Sequence, residues 1–218
     1  MAKRALDVLA AGFGLLLLSP LLALIAAAVR LDSSGPALFL QERVGRGGKT
    51  FRILKFRTMY DRPDPGTGRT GLGLTVGCDP RVTRVGRLLR KWKLDELPQL
   101  LNVLRGEMSL VGPRPEVPKY VASYTPEQRR VLDVRPGITD LASVEFRDEN
   151  DLLAGRPDPE EYYLSQILPR KLELNRRYVE DHDVWTDIRI ILATIARVLS
   201  PGPSPALRTD EHLDEVSR

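Results

Sequence analysis

The chain of 218 residues has one cysteine, Cys78, and two histidines, His182 and His212. A single thiol excludes an internal disulfide and points to a reducing compartment. So few soft ligands leave no Cys/His cluster for zinc or copper, and no Cys–His or Ser–His–Asp set for nucleophilic catalysis. Any metal should then be a hard cation on oxygen ligands. There is no Walker lysine. A literal GxGxxG occurs at Gly66, Gly68 and Gly71, but Asp61-Arg62-Pro63-Asp64-Pro65 precedes it instead of an apolar strand. No amphipathic helix follows directly, so a dinucleotide fingerprint fails its context test. No nucleic-acid recognition motif accompanies the basic residues. The excess of base is moderate, 33 Lys and Arg against 29 Asp and Glu, and suits phosphate-bearing ligands or an anionic membrane surface.

Against these absences stands one long uncharged stretch, Val8 to Val29, interrupted by Gly12, Gly14 and Ser19-Pro20. Its length suits a membrane span. Lys3 and Arg4 before it and Ala26-Ala27-Ala28 near its end resemble a cleaved signal, but the run exceeds the roughly 7–15 residues of such a segment. A simple span carries its cations mainly on one side. In this chain they flank both, with Arg30, Arg43, Arg46 and Lys49 after the stretch. Pro20 removes a backbone bond near the middle, and Ser19 can satisfy the freed carbonyl. A re-entrant helix that enters the bilayer, breaks at Ser19-Pro20 and returns to the same face fits all three observations.

Asp32-Ser33-Ser34-Gly35-Pro36 ends the anchor, and two strands follow, Ala37 to Glu42 and Thr50 to Met59, around the turn Gly45-Arg46-Gly47-Gly48. Asp61 to Thr75 reads as a mobile loop. Val82, Val85, Leu88, Leu89 and Trp92 share one helix face, with Arg84, Arg87 and Lys91 on another. Arg135 to Thr139 is a turn signal and Asp148 to Asp151 an acidic surface loop. Tyr162 to Val179 reads as a helix. Trp185, Ile188, Ile191, Leu192, Ile195 and Val198 form an amphipathic stripe suited to a core or to an interfacial plane. The expected organisation is an anchor over 1–31, a second domain over 32–200 and a disordered tail over 201–218. The expected class is mixed α/β, mostly helical.

Lys93-Leu94-Asp95-Glu96-Leu97-Pro98-Gln99 sets two adjacent carboxylates beside Arg87, Arg90, Lys91 and Lys93, ahead of helically spaced Leu97, Leu100, Leu101 and Leu104. Asp95 reads as an N-cap or first-turn residue whose pKa the helix dipole should lower. An ionised carboxylate near cations and open backbone donors could attack phosphorus; a plain cap followed by a surface glutamate is the simpler alternative. Prolines on both sides of Arg114, in Pro113-Arg114-Pro115, restrict its backbone and hold its guanidinium at small entropic cost.

Together these pieces resemble the bacterial sugar transferase family, the small monotopic phosphoglycosyl transferases. The resemblance runs from about Lys3 to Leu199 through Lys3 to Asp7, Ser19-Pro20, Gln41 to Gly48, Lys55 to Met59, Asp79 to Arg90, Leu94 to Gln99, Val111 to Pro115 and Arg135 to Thr139. It implies transfer of a phosphosugar from a nucleotide diphosphate sugar, usually of uridine, to a polyprenyl phosphate, releasing the nucleoside monophosphate. It further implies Mg²⁺, held by Glu96, with Asp95 as nucleophile in a covalent phosphosugar intermediate. Lys55, Arg90 and Arg114 match positions that contact phosphate, Arg43 more weakly, and Ser19-Pro20 matches the family's helix break. The implied place is the cytoplasmic face of the bacterial inner membrane, in surface-glycan assembly such as capsule, exopolysaccharide or lipopolysaccharide; a homodimer is compatible with it. Asp140-Leu141-Ala142-Ser143-Val144 departs from the family's Gly-Trp-Ala-Gln-Val, near the sugar or nucleotide end, and Lys93 replaces a small polar residue. Two other classes stay open: a membrane-attached glycosyltransferase that releases UDP, and a non-catalytic membrane-binding protein.

Overall fold

A computed structural model describes residues 2–60, 76, 77 and 79–199. The loop expected from Asp61 to Thr75, its GxGxxG string, Cys78 and the tail expected after residue 200 lie outside the described residues.

The uncharged stretch forms one helix, α1 (Ala2–Asp32), unbroken through Ser19-Pro20. Pro20 lacks the N–H that would bond the Leu16 carbonyl, and the Ser19 hydroxyl donates to that carbonyl instead at 2.8 Å. The outward side is bare hydrocarbon: Leu9, Phe13, Leu16, Leu17 and Leu24 are 65–76% exposed. Yet both ends are tied to one body. At the start, Lys3 donates to the Val111 carbonyl at 3.2 Å, Arg4 to that of Val103 at 2.8 Å, and Asp7 accepts from Ser109 at 2.9 Å. At the far end the Arg57 guanidinium donates to Ser33 and Ser34 carbonyls at 2.7 and 2.6 Å, and Asp32 accepts from the Val85 N–H at 3.0 Å.

The expected hairpin follows as β1 (Leu38–Val44) and β2 (Thr50–Phe56), antiparallel with Leu40 opposite Leu54. Its turn needs left-handed backbone at Gly47 and Gly48, at φ 66° and 77°. β2 stops short of Met59, which instead forms an isolated bridge with Val82. The helix α2 (Arg84–Lys91) is capped by Thr83, whose hydroxyl accepts from the Gly86 N–H at 2.9 Å. Leu89 is buried, but Leu88, expected on the same face, is 57% exposed. A 3-10 turn, Leu94–Glu96, then leads into α3 (Gln99–Arg105).

Two short segments without a strand pattern in the sequence are strands of three residues: β3 (Ser109–Val111) and β4 (Gly137–Thr139), the latter within the expected turn, pair in parallel. Between them lies α4 (Pro118–Val121). Then come α5 (Leu141–Glu145), α6 (Glu149–Leu153), α7 (Pro159–Tyr162), a π-type turn, α8 (Leu168–Asp181) and α9 (Val184–Leu199). The acidic stretch expected as a loop is therefore the start of α6, because Leu152 and Leu153 are buried and Glu149 pairs with Lys171 at 2.7 Å. The class is mixed α/β, mostly helical.

The main core gathers α4, α6, α8 and the π-type turn around Tyr163, Leu153 and Ile167. Two smaller clusters use α1 directly: Ala11 with Ile53, Val103 and Met108, and Ile25 and Val29 with Phe56 and Leu89. Leu94 packs on the second of these and Leu100 on the first, so the turn between them is clamped at both ends.

Backbone crowding fixes the Arg114 segment. A Cβ on Gly137 would sit 2.1 Å from the Gly112 nitrogen, and one on Gly112 would sit 2.5 Å from the Arg135 carbonyl oxygen. Neither backbone neighbour can swing aside. Gly137→Ala is expected to cost about 2–3 kcal/mol in urea unfolding, by the overpacking it forces. A midpoint unchanged from the parent would show that the two segments do not touch as closely.

Candidate active site

Five of the residues singled out in the sequence meet at one point. The 3-10 turn delivers Asp95 and Glu96, each 8% exposed. Lys55 enters from β2, Arg114 from the segment after β3, and Arg90 from α2. Glu96 Oε1 accepts from Lys55 Nζ at 2.9 Å and from Arg114 Nη2, while Oε2 accepts from Arg114 Nη1 at 3.2 Å. Two guanidinium nitrogens thus grip one carboxylate. Arg90 donates to the Thr58 hydroxyl at 2.9 Å, and its charge acts on Asp95. Arg43 stands one step back. It bonds Gln41 at 2.7 Å and the Pro115 carbonyl at 3.1 Å, and pairs with Glu116 at 3.5 Å, bracing the segment that carries Arg114.

The two carboxylates have opposite fates. Burial pushes Glu96 up, but Arg114 and Lys55 outweigh it and hold the carboxyl well below its usual range. Asp95 is raised, first by burial and then by the Glu96 anion, against the cations Lys55, Lys93 and Arg90. The lowering expected from a helix dipole is overturned. Asp95 caps nothing; it sits inside the 3-10 turn, after Lys93 in left-handed backbone at φ 55°. Its Oδ1 is buried with no hydrogen-bond partner. Burial also pulls the Lys55 ammonium down, with Glu96 opposing. One burial thus has opposite outcomes on two adjacent carboxylates, because Lys55 and Arg114 bond Glu96 and leave Asp95 Oδ1 unpaired.

Supporting residues escaped the sequence reading. Asn102, fully buried, accepts from the Leu54 N–H at 3.0 Å and donates to the Arg52 carbonyl at 2.8 Å, riveting α3 to the strand that carries Lys55. Its signal was a lone amide within Leu100-Leu101-Asn102-Val103-Leu104. Asp7 does the same for β3, accepting also from the Leu110 N–H at 3.1 Å. Asp140, opening the segment that departs from the family pattern, caps α5 by accepting from the Ser143 N–H at 2.7 Å.

Among the described residues no group of three or more His, Cys, Asp or Glu forms a closed metal cage. The oxygen sites left are the Asp95 carboxylate and a lone pair on Glu96 Oε2, because Glu96 Oε1 already accepts twice. That donor set fits Mg²⁺, which keeps waters and takes its remaining ligands from phosphate.

A model of the bacterial sugar transferase family matches residues 1–201. A UDP-glucose:undecaprenyl-phosphate glucose-1-phosphate transferase of Caulobacter vibrioides is 43% identical over 204 residues, covering 92% of this chain and 70% of the relative. A UDP-N-acetylgalactosamine-undecaprenyl-phosphate N-acetylgalactosaminephosphotransferase of Aeromonas hydrophila is 38% identical over 203 residues, 91% of this chain and 44% of its own. The exopolysaccharide production protein ExoY of Rhizobium meliloti is 39% identical over 214 residues, with 93% and 88% covered. The first two of these names carry different sugars.

Proposed function

Because the chain belongs to the bacterial sugar transferase family, we propose that it moves a sugar 1-phosphate from a UDP-sugar to undecaprenyl phosphate, at the cytoplasmic face of the inner membrane. The observation that carries the reading is the unlike pair: Glu96 clamped by Lys55 and Arg114, Asp95 buried with an unpaired oxygen. A carboxylate stripped of hydration has little water to shed before it attacks. Asp95 attacks the sugar-bearing phosphorus; the new O–P bond forms as the bond to the bridging oxygen breaks, and UMP leaves with that electron pair. An oxygen of the acceptor phosphate then attacks the same phosphorus and returns Asp95 as a free carboxylate. Donor and acceptor use one site in turn.

Arg114, Lys55 and Arg90 supply fixed positive charge where the phosphoryl oxygens gain negative charge. Glu96 Oε2 would hold Mg²⁺, which when bound neutralises diphosphate charge and helps the nucleotide leave. The position of α1 supports a monotopic attachment. A straight helix of 31 residues is about 46 Å long, enough to cross a bilayer, but both ends bond to one body. Its outward leucines then enter lipid from one face, and Pro20, which removes one helical bond, is where a bend would fall.

The test is the identity of the released nucleotide. Purified protein with Mg²⁺, undecaprenyl phosphate and a panel of UDP-sugars should release UMP with one of them. UDP would mean ordinary glycosyl transfer, and Asp95 would then not be the nucleophile. Neither nucleotide, with lipid vesicles still bound, would favour a non-catalytic membrane protein.

A further inference from the structure

Beside the dyad, between α3, β4, α5 and α9, lies a cleft of about 120 Å³ with Glu96 and Arg114 at its edge. Its walls are aliphatic: Leu97, Leu100, Ile138, Val144 and Val198. Its two hydroxyls are already committed, Ser143 to the Asp140 carboxylate at 2.7 Å and Thr194 to the Ile190 carbonyl at 2.8 Å. Set into this apolar lining are Lys93, Arg147 and Arg197.

Arg197 is the unusual member. Its side chain is only 18% exposed, and its Nε and Nη2 make no hydrogen bond; its ion-pair partner, Asp148, is 3.7 Å away. Buried donors left unpaired cost about 1–3 kcal/mol, so an arginine kept in that state is waiting for an acceptor. The cleft also adjoins hydrocarbon-facing surface. Leu100 in its wall lies against α1, where a Cβ on Gly14 would sit 3.5 Å from Leu100 Cδ1. The neighbouring face of α9 exposes Trp185, Leu192, Ile195 and Leu199 at 50–70%.

A nucleoside asks for an aromatic face and free polar groups to read the base, and a sugar asks for many hydrogen bonds. Among the described residues this lining has no aromatic ring and no uncommitted hydroxyl or amide; its polar groups are the cations and, at the edge, Glu96. It matches a branched hydrocarbon that ends in an anion. Resting on the transferase reading above, we propose that the cleft takes the isoprenoid units nearest the phosphate of the polyprenyl phosphate acceptor, with Arg197 donating to that phosphate. Val144 therefore contacts the lipid, although the family resemblance set its segment near the sugar or nucleotide.

The test is photolabelling of the full chain in detergent, with a polyprenyl phosphate that carries a diazirine in its first isoprenoid units. Adducts are expected on 141–147 and 194–198, suppressed by excess undecaprenyl phosphate and untouched by UDP-sugars. Val198→Trp should lower that labelling at least ten-fold at an unchanged thermal midpoint; Val144→Trp serves if the first variant does not fold. Arg197→Ala should raise the competing concentration of undecaprenyl phosphate about ten-fold, and Arg197→Lys should recover part of it. Adducts confined to α1, or suppression by a UDP-sugar in place of the lipid, would overturn the assignment. Labelling requires no turnover. A cleft that labels in a protein releasing no UMP keeps the acceptor site and sinks the transferase reading; turnover without labelling in the cleft does the reverse.

Discussion

Asp95→Asn is expected to lower UMP release by at least about a thousand-fold, and at the same time to raise the thermal midpoint by about 1–4 °C. Both signs come from one piece of geometry. The Asp95 Oδ1 atom is buried without a hydrogen-bond partner, and the Glu96 anion is its sequence neighbour. A charge in that position costs the folded chain free energy that an unfolded chain does not spend, because water solvates it there. Asparagine keeps the shape, removes the charge and has no carboxylate with which to attack phosphorus. Thermal melting of the protein without substrate, beside a nucleotide-release assay, reads both effects. Retained turnover would place the nucleophile elsewhere. Lost turnover with a lower midpoint would mean that the Asp95 charge is well compensated by Lys55, Lys93 and Arg90, and that its buried oxygen costs the fold little.

The second large effect concerns the clamp. Arg114→Met strips both oxygens of Glu96 of their guanidinium bonds and leaves Lys55 as the remaining partner in the clamp. Breaking one side of a buried pair costs several kcal/mol; with Arg114 a quarter exposed, about 2–4 kcal/mol is expected, together with a fall in turnover of about 10²–10³. Glu96→Gln should also destabilise, because it leaves two cations facing each other without their anion. The double variant should recover much of the stability, giving a coupling of about 1.5–3 kcal/mol, and none of the turnover. Arg114→Lys restores the charge but not the two-point grip, and should fall between parent and Arg114→Met in both measurements. Losses that simply add in the double variant would show that the two side chains do not act as a pair.

Motif spacing picked out side chains that the fold brings together and missed their electrostatics. Leu94 to Gln99, Lys55 and Pro113-Arg114-Pro115 could be read as one constellation because each is an unusual local string, and the fold brings them together. The lowered pKa expected for Asp95 followed from its local place ahead of a helix; burial and the Glu96 charge reverse it, and both are tertiary quantities that no local pattern contains. β3 and β4 were missed for a different reason. Strands of three residues show no alternation, and what holds them is the contact of Gly112 with Gly137, 25 positions apart in sequence. The acidic start of α6 hid a helix because its buried pair, Leu152 and Leu153, lies at the very end of the element. The long apolar helix was plain from composition alone, while the share its inner side takes in the clusters around the dyad was not.

That inner side sets a timetable for biogenesis. Asp7 finds its partner Ser109 102 residues later, and Lys3 finds Asp187 184 residues later. At about 5–20 residues per second of synthesis, the first helix leaves the ribosome roughly 10–40 s before its last partner exists. During that interval a row of bare leucines has no protein to rest on. On the monotopic attachment proposed above, lipid holds the helix first and the rest of the chain closes onto it there, so the dyad is completed beside the proposed lipid acceptor.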